Sequence, residues 1–302
     1  MSYERGQETT VIRTGGGANQ LPSSSGGAAG SLVIIYGSGM GKLIPVDGKE
    51  LSIGRDHSNQ VVVEQESVSR RHCAVRTKDG ALVLQDLGST NGTFLNDEEV
   101  RPPREAPLRS GDLIKVGGTI FKYLGAGSVE ALYHEEIYRM AIIDGLTEVN
   151  NRRYLMEFLE REMARCSRHD RPLSLLLFDL DRFKNINEDH GHLAGDAVLR
   201  EIATLVRTKM IRREELIARY GGDEFAIVLP ESTIEHARLF AKRLLGQIAA
   251  RRVVFDEREI AVSISIGIAA MSREFTEPSH FIDAADANLL TAKRFGRGRT
   301  IG

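Results

Sequence analysis

Three carboxylates and one main-chain carbonyl stand out because of where their neighbours put them. In "PLSLLLFDLD" an apolar run reads as a buried strand that carries Asp179 to its end, with the carbonyl of Leu180 beside it. In "RYGGDEF" two glycines allow a tight hairpin turn that presents Asp223 and Glu224. Hard oxygen donors gathered from two strand ends suit Mg²⁺, with Mn²⁺ as a substitute, since such ions are held by a few carboxylates together with substrate phosphates. Any one of these acids alone reads as a cap or turn residue. The combination points to metal-assisted chemistry on phosphates.

The elements that must position these groups follow from periodicity. From Asp144 onward, "NRRYLMEFLEREMARCSRH", "LAGDAVLREIATLVRTKM", "IEHARLFAKRLLGQIAARRV" and "HFIDAADANLLTAKRFGRG" read as helices. "PLSLLLFDLD" and "IAVSISIGIAAM" read as strands, and "LIARYGGDEFAIVLP" as a hairpin. That order predicts an α/β or α+β domain on a central, largely antiparallel sheet. From Ser31 to Gly125 the pattern differs: "SLVIIYG", "QVVVEQ", "HCAVRT", "ALVLQDL", "DLIKVG" and "TIFKYLG" are short strands broken by turns, which predicts an all-β sandwich or barrel. The stretch "YGSGMGKL" imitates a P-loop but has Tyr36 and Leu43 at two required positions and no helix after it, so a glycine hairpin explains it better.

The loops of the first region carry more information than its strands. "IGRDHSNQVVV", "SVSRRHC", "DLGSTNGTFLN" and "LRSGDLIKVG" occur in an order that closely resembles the forkhead-associated (FHA) family, a β-sandwich that binds phosphothreonine peptides. The resemblance implies that Arg55, Ser69, Arg70, Thr90 and Asn91 contact the peptide, while His72 and Gly92 read as structural. The chemistry agrees: a phosphate brings about −1.5 to −2 charges and three acceptor oxygens, and a guanidinium fork with hydroxyl and amide donors matches them.

The second region resembles the GGDEF family of diguanylate cyclases through "DGLTEVNNRR", "DLDRFKNINEDHGHLAGD", "RYGGDEF", "SISIGIA" and "DANLLTAKRFGRGR", spread over residues 144–299. The resemblance implies an α/β, palm-like nucleotidyl cyclase domain that condenses two GTP into cyclic di-GMP, two domains facing each other in a homodimer. It assigns Asp179, Asp223, Glu224 and the Leu180 carbonyl to the metals, and Asn187 and Asp196 to guanine. Lys184, Lys293 and Arg297 neutralise phosphates, His192 flanks the cleft, and Asp223 is a candidate acceptor for the hydroxyl proton. Two departures stand out. Glu148 occupies a position where the family usually has Gly. The Arg-x-x-Asp that lets product inhibit many members reads Arg212-Arg213-Glu214-Glu215 here, so Arg212 and Glu215 are the candidate inhibitory pair.

Length and composition set the frame. A chain of 302 residues has room for about two domains, and a net charge of −2 gives no bias toward nucleic acid or an anionic membrane. No apolar run approaches the roughly 18–20 residues needed to span a bilayer, and two distant cysteines, Cys73 and Cys166, suggest neither a disulfide framework nor a zinc site. A cytoplasmic protein is the expectation. Residues 1–30 are expected to be a disordered tail and 31–125 the FHA domain. Residues 126–143 read as a linker helix, packed on its own domain or dimerising, and 144–302 as the cyclase domain. Within the tail, "QETTVIRT" offers Thr9 and Thr10 to a Ser/Thr kinase, and resembles the "ETT" segment ahead of some bacterial FHA domains. A flexible linker of that length reaches roughly 25 Å, enough for a phosphorylated tail to dock in cis or on a partner.

Three functions fit these motifs: a phospho-regulated diguanylate cyclase, an FHA adaptor whose second domain only senses nucleotide, and another nucleotidyl cyclase on a related fold. The retained carboxylates disfavour the second. The guanine pair disfavours the third.

Overall fold

The structure, a computed structural model, describes residues 11–14, 30–37, 39–47 and 50–302. The chain divides into two compact units, Met1–Ala141 and Ile142–Gly302.

The first unit holds twelve described strands: β1 (Val11–Thr14), β2 (Gly30–Tyr36), β3 (Leu43–Val46), β4 (Leu51–Gly54), β5 (Val61–Glu64), β6 (Cys73–Lys78), β7 (Ala81–Asp86), β8 (Thr93–Leu95), β9 (Glu98–Val100), β10 (Glu105–Pro107), β11 (Leu113–Val116) and β12 (Thr119–Gly125). They form two six-stranded sheets, ordered β1-β5-β4-β6-β7-β10 and β3-β2-β12-β11-β8-β9. Ile53, Val63, Val75 and Leu84 of one sheet share a core with Ile34, Ile114, Val116 and Phe121 of the other. Alternating apolar residues on two facing sheets make a sandwich. The glycine-rich stretch after β2 is a hairpin: β3 returns antiparallel to β2, Leu43 opposite Val33.

Residues 1–30 were expected to lack order throughout, and one piece departs from that. β1 pairs antiparallel with β5, Val11 opposite Glu64 and Thr14 opposite Val61. Val, Ile and Thr are β-branched and favour extended backbone, and the edge of β5 offers unpaired main-chain groups for them to join. Thr9 and Thr10 lie outside the described residues. After β12, α1 (Val129–Ile142) buries none of its side chains; Val129, Leu132, Tyr133, Ile137 and Met140 are all exposed.

The second unit runs β13 (Asn150–Asn151), α2 (Arg152–His169), β14 (Leu173–Leu180), α3 (Phe183–His190), α4 (His192–Lys209), β15 (Leu216–Gly221), β16 (Glu224–Pro230), α5 (Ile234–Ala249), β17 (Arg252–Phe255), β18 (Arg258–Ala261), β19 (Ile264–Ala270), α6 (Pro278–Arg294) and β20 (Thr300–Ile301). One six-stranded sheet, β13-β15-β16-β14-β19-β20, is antiparallel through its centre and parallel at both ends. All of β14 is buried because both faces of the sheet are covered. Leu176, Phe178 and Leu180 pack with residues of α4 and α5, and Leu173, Leu175 and Leu177 with residues of α2 and α6. The period of two persists, although the sequence reads as one apolar run.

Two elements differ from the sequence reading. The helix expected to run through "QIAARRV" ends at Ala249, and β17 and β18 form a hairpin around Asp256 and Glu257, both at positive φ. β-branched Val253 and Val254 favour extended backbone there. A short helix, α3, also stands between β14 and α4, in a stretch to which the sequence reading assigns no element.

Candidate functional site

The strand register brings the acids together. Asp179, last but one in β14, lies opposite Glu224 on β16 and opposite Ser265 on β19. Gly221 pairs with Glu224, leaving Gly222 and Asp223 as a two-residue turn; Gly222 takes φ 39°, in the left-handed region that favours glycine. The amide of Leu180 donates to the carbonyl of Asp223 at 3.3 Å, tying the turn to the end of β14. From α6, the Lys293 ammonium reaches Asp179 Oδ2 at 2.9 Å.

Electrostatics marks the same spot. Burial, reinforced by the charges of Asp223 and Glu224, pushes the Asp179 carboxyl up to about 6 against the opposing pull of Lys293. Burial also raises Glu224, with Asp286 and Asp223 adding repulsion. Crowded acids of this kind are relieved by a cation. The donor set, three carboxylates and a main-chain carbonyl, is that of a hard divalent ion. Among the described residues no three His, Cys, Asp or Glu side chains form a ready-made cage. An ion here would therefore take its remaining ligands from substrate phosphates and water, as Mg²⁺ commonly does. The residues fit that ion.

The guanine candidates are brought close by a helix break. Gly191 separates α3 from α4, and Asn187 on α3 lies against the first turns of α4. A Cβ at Gly195 would stand 1.9 Å from Asn187 Oδ1, so only glycine lets that amide lie beside the backbone next to Asp196. The phosphate candidates are less concentrated. Lys184 is exposed and pairs with Glu188 at 3.4 Å, His192 is exposed, and Arg297 sits in the loop between α6 and β20 with φ 64°. Only Lys293 touches the acids directly.

Several participants had no signal strong enough to be singled out beforehand. Arg219 donates to the Gly222 carbonyl at 2.9 and 2.7 Å and to Asp144 Oδ1 at 3.2 Å, so it braces the acidic turn against the loop that opens the second unit. Asp286 stands near Glu224, and Arg152 lies over the Tyr220 ring at 4.6 Å. Their letters were visible inside the quoted motifs; their convergence was not.

Arg212 and Glu215 lie at the far end of β15, roughly 20 Å from the turn at about 3.3 Å per residue. The Arg212 amide donates to Glu215 Oε2 at 2.6 Å. Both residues line a cavity of about 410 Å³ together with His236 and Arg243 of α5. The sequence reading had missed these last two.

In the first unit, three loops converge. Arg55 N donates to the Ser69 carbonyl (2.9 Å), Thr90 N to Ser69 Oγ (3.0 Å), and Asn91 Nδ2 to the Ser67 carbonyl (2.8 Å). Arg55, Arg70, Thr90 and Asn91 remain exposed, so one end of the sandwich offers two guanidiniums, hydroxyls and an amide to solvent. His72 lies beneath, fully buried. Its Nδ1 accepts from Ser69 N (3.1 Å) and its Nε2 is 3.0 Å from the Gly92 carbonyl. Burial lowers its pKa, so the neutral ring donates through Nε2. Asp86, not singled out from sequence, accepts from Ser89 and Thr93 hydroxyls at 2.6 Å; these bonds outweigh burial and hold its carboxyl below the usual range.

Comparison with known proteins agrees with this division. The family model described as "Diguanylate cyclase, GGDEF domain" matches residues 141–299, and that of the FHA domain matches residues 51–117. The chain is 41% identical over 165 residues to "Diguanylate cyclase DgcP" of Pseudomonas aeruginosa, covering 55% of this chain and 24% of that protein. It is 33% identical over 219 residues to "Diguanylate cyclase DosC" of Escherichia coli, covering 72% and 46%. It thus spans less than half the length of these relatives. The coiled coil and GGDEF domain of DgcB from Caulobacter crescentus, solved in complex with c-di-GMP, aligns with a TM-score of 0.54 at 28% identity, covering 57% of this chain and 92% of that one. SiaD of Pseudomonas aeruginosa, solved with its activator SiaC, aligns at 0.52 and 33%, covering 56% and 65%. With more than half its length matched by the family model, this chain belongs to the GGDEF family, and it carries an FHA domain ahead of that region.

Proposed function

We propose that this chain condenses two GTP into cyclic di-GMP and two pyrophosphates, under the control of a phosphothreonine-reading FHA domain. The observation that carries the reading is the juxtaposition of Asp179, Asp223 and Glu224 across the β14–β16 register, with Lys293 2.9 Å from Asp179. Asp179, Glu224, Asp223 and the Leu180 carbonyl would hold Mg²⁺, which when bound spreads the charge that builds on phosphoryl oxygens. In each of two steps a 3′-oxygen bonds to the α-phosphorus of the other GTP, the bond to pyrophosphate breaks, and the hydroxyl proton leaves to Asp223 or to water. Asn187 and Asp196 suit guanine, whose N1–H and amino group donate and whose O6 accepts; adenine would leave Asp196 without a donor. Lys293, Lys184 and Arg297 balance the triphosphate, and His192 lines the cleft.

Each copy would present one GTP, so the reaction needs a homodimer. The exposed stripe Val129, Leu132, Tyr133, Ile137 and Met140 on α1 supports a second copy as the partner of this helix, its spacing being that of a helical seam. The pocket of Arg212, Glu215, His236 and Arg243 suits the phosphates of the product, two guanidiniums compensating for a Glu where the inhibitory motif has Asp. Arg55, Ser69, Arg70, Thr90 and Asn91 would read phospho-Thr10 or phospho-Thr9 of the tail, written by a Ser/Thr kinase, or another phosphopeptide. The proposed use of GTP supports a cytoplasmic site of action. No described helix is long and apolar enough to cross a membrane.

The test is incubation of the full chain with GTP and Mg²⁺ and separation of the products. Cyclic di-GMP is expected; a mononucleotide ring, or no turnover at any protein concentration, overturns the reading. For the FHA arm, a phosphorylated peptide of residues 1–20 should bind the full chain, and binding that survives Arg55→Ala would defeat that assignment.

A further inference from the structure

The pair "DLD" invites the reading that both acids hold metal, yet the structure treats Asp181 quite differently from Asp179. Asp181 is only 7% exposed. Its Oδ1 accepts the Ser265 hydroxyl at 2.6 Å, and its Oδ2 accepts the Ser263 hydroxyl at 2.8 Å and the Gly298 amide at 3.0 Å. Its own amide donates to the Ser263 carbonyl at 2.9 Å. An ionised carboxylate has about four lone-pair sites, so three of them are committed to the chain's own donors. Those donors come from two places: the start of β19, and the loop between α6 and β20. That loop carries Arg297, immediately before Gly298, at φ 64°. It is also held by the Arg299 carbonyl, which accepts from Ile266 N at 2.9 Å.

We infer that Asp181 is a positioning residue: through the Gly298 amide, with Ser263 and Ser265 as its supports, it fixes the loop that aims Arg297 at the substrate triphosphate. This rests on the proposed use of GTP. It also accounts for the serines of "SISIG", which the catalytic reading leaves unused. Strand ends and a glycine-rich loop would otherwise fray, and a guanidinium on a wandering loop binds phosphate weakly because its ordering must be supplied at the moment of binding. Charge-assisted bonds to a buried carboxylate supply it beforehand.

The experiment compares full-length wild type with Asp181→Asn, Ser263→Ala/Ser265→Ala, Arg297→Ala and Asp181→Asn/Arg297→Ala. Removing a contact made equally to substrate and transition state raises KM and spares kcat, so Asp181→Asn and the serine pair should each raise the GTP KM about tenfold with kcat within about threefold. The Mg²⁺ concentration for half-maximal rate should stay within about twofold, because no metal ligand has been removed. In the Arg297→Ala background Asp181→Asn should add no more than about twofold, the non-additivity of residues acting through one group. Amide exchange at Gly298 should accelerate at least about tenfold in Asp181→Asn and not in Arg297→Ala. Fully additive losses, an unmoved KM, or a half-saturating Mg²⁺ concentration raised about fivefold or more would overturn the inference, the last by making Asp181 a metal ligand. Should Asp181→Asn fail to fold, the serine pair decides alone, through its GTP KM, its half-saturating Mg²⁺ concentration and an accelerated Gly298 exchange. If wild type leaves GTP untouched, the functional reading fails, while exchange at Gly298 still judges the staple.

Discussion

At the level of single residues, neighbouring side chains of the same type have been given different work by their surroundings. Asp179 sits among acids and one lysine, whereas Asp181, two positions on, is bound by hydroxyls and an amide. Asp196 carries the proposed discrimination against adenine. Replacing it by Asn removes a charge-assisted bond worth about 1.5–3 kcal/mol, so kcat/KM for GTP should fall roughly 10- to 100-fold. Steady-state kinetics with GTP and ATP side by side would check this, and ATP should not improve. His72 makes a different prediction. Its pKa lies below the ordinary 6.5 because burial disfavours the imidazolium. The unfolded chain therefore binds the proton more readily than the folded one. The stability His72 contributes is complete above 6.5 and is lost as pH falls through the lower folded value. Imidazole NMR of the full chain should show this ring titrating below the ordinary 6.5.

Among the elements, backbone conformation and side-chain identity disagree at one informative point. Glu148 holds φ 57° in the loop before β13, in the left-handed region that favours glycine, at the position where the family resemblance leads one to expect Gly. Arg207 bonds its carbonyl at 2.9 Å and pairs with its carboxylate at 3.7 Å, both near the surface. A left-handed non-Gly residue costs about 1–2 kcal/mol, more than an exposed ion pair returns. Glu148→Gly should therefore raise the melting temperature of the second unit by about 2–4 °C, read by calorimetry, with turnover unchanged. The reverse situation holds on α4. Gly195→Ala should favour the helix by up to about 1 kcal/mol yet push Asn187 aside, since the new Cβ meets the movable end of that side chain. Stability should hold or rise while the GTP KM increases about tenfold, a separation that melting curves and kinetics together would reveal.

For the whole molecule, the proposed reaction requires two copies to bring their sites face to face. Five large apolar side chains on α1 stand open, a concentration that a single copy has no reason to display. Leu132→Glu with Ile137→Glu should shift the full chain toward monomer in sedimentation or light scattering. It should also make specific activity fall about tenfold at micromolar protein and recover as concentration rises, by mass action. Activity independent of both concentration and these substitutions would remove α1 from the assembly.

Much of this was legible in the letters. Periodicity of two and of 3.6 determined the class of each unit, and residue type with turn chemistry determined which acids, amides and hydroxyls were candidates. The motifs determined the families. Tertiary structure alone decided which candidates meet. The β14–β16–β19 register set Glu224 and Ser265 beside Asp179, and a close approach set Asn187 against the backbone at Gly195, one residue before Asp196. Arg219 in its bond to Asp144, Asp181, and the pocket residues His236 and Arg243 were invisible as partners because each of these contacts spans tens of residues of intervening chain. The β1 strand was missed for the same reason: four residues carry almost no local signal, and the open edge of β5 that orders them exists only after the sandwich has formed. Local sequence dictates conformational preference within a turn or two, whereas long-range hydrogen bonds and packing contacts are set by the assembled sheet and helices.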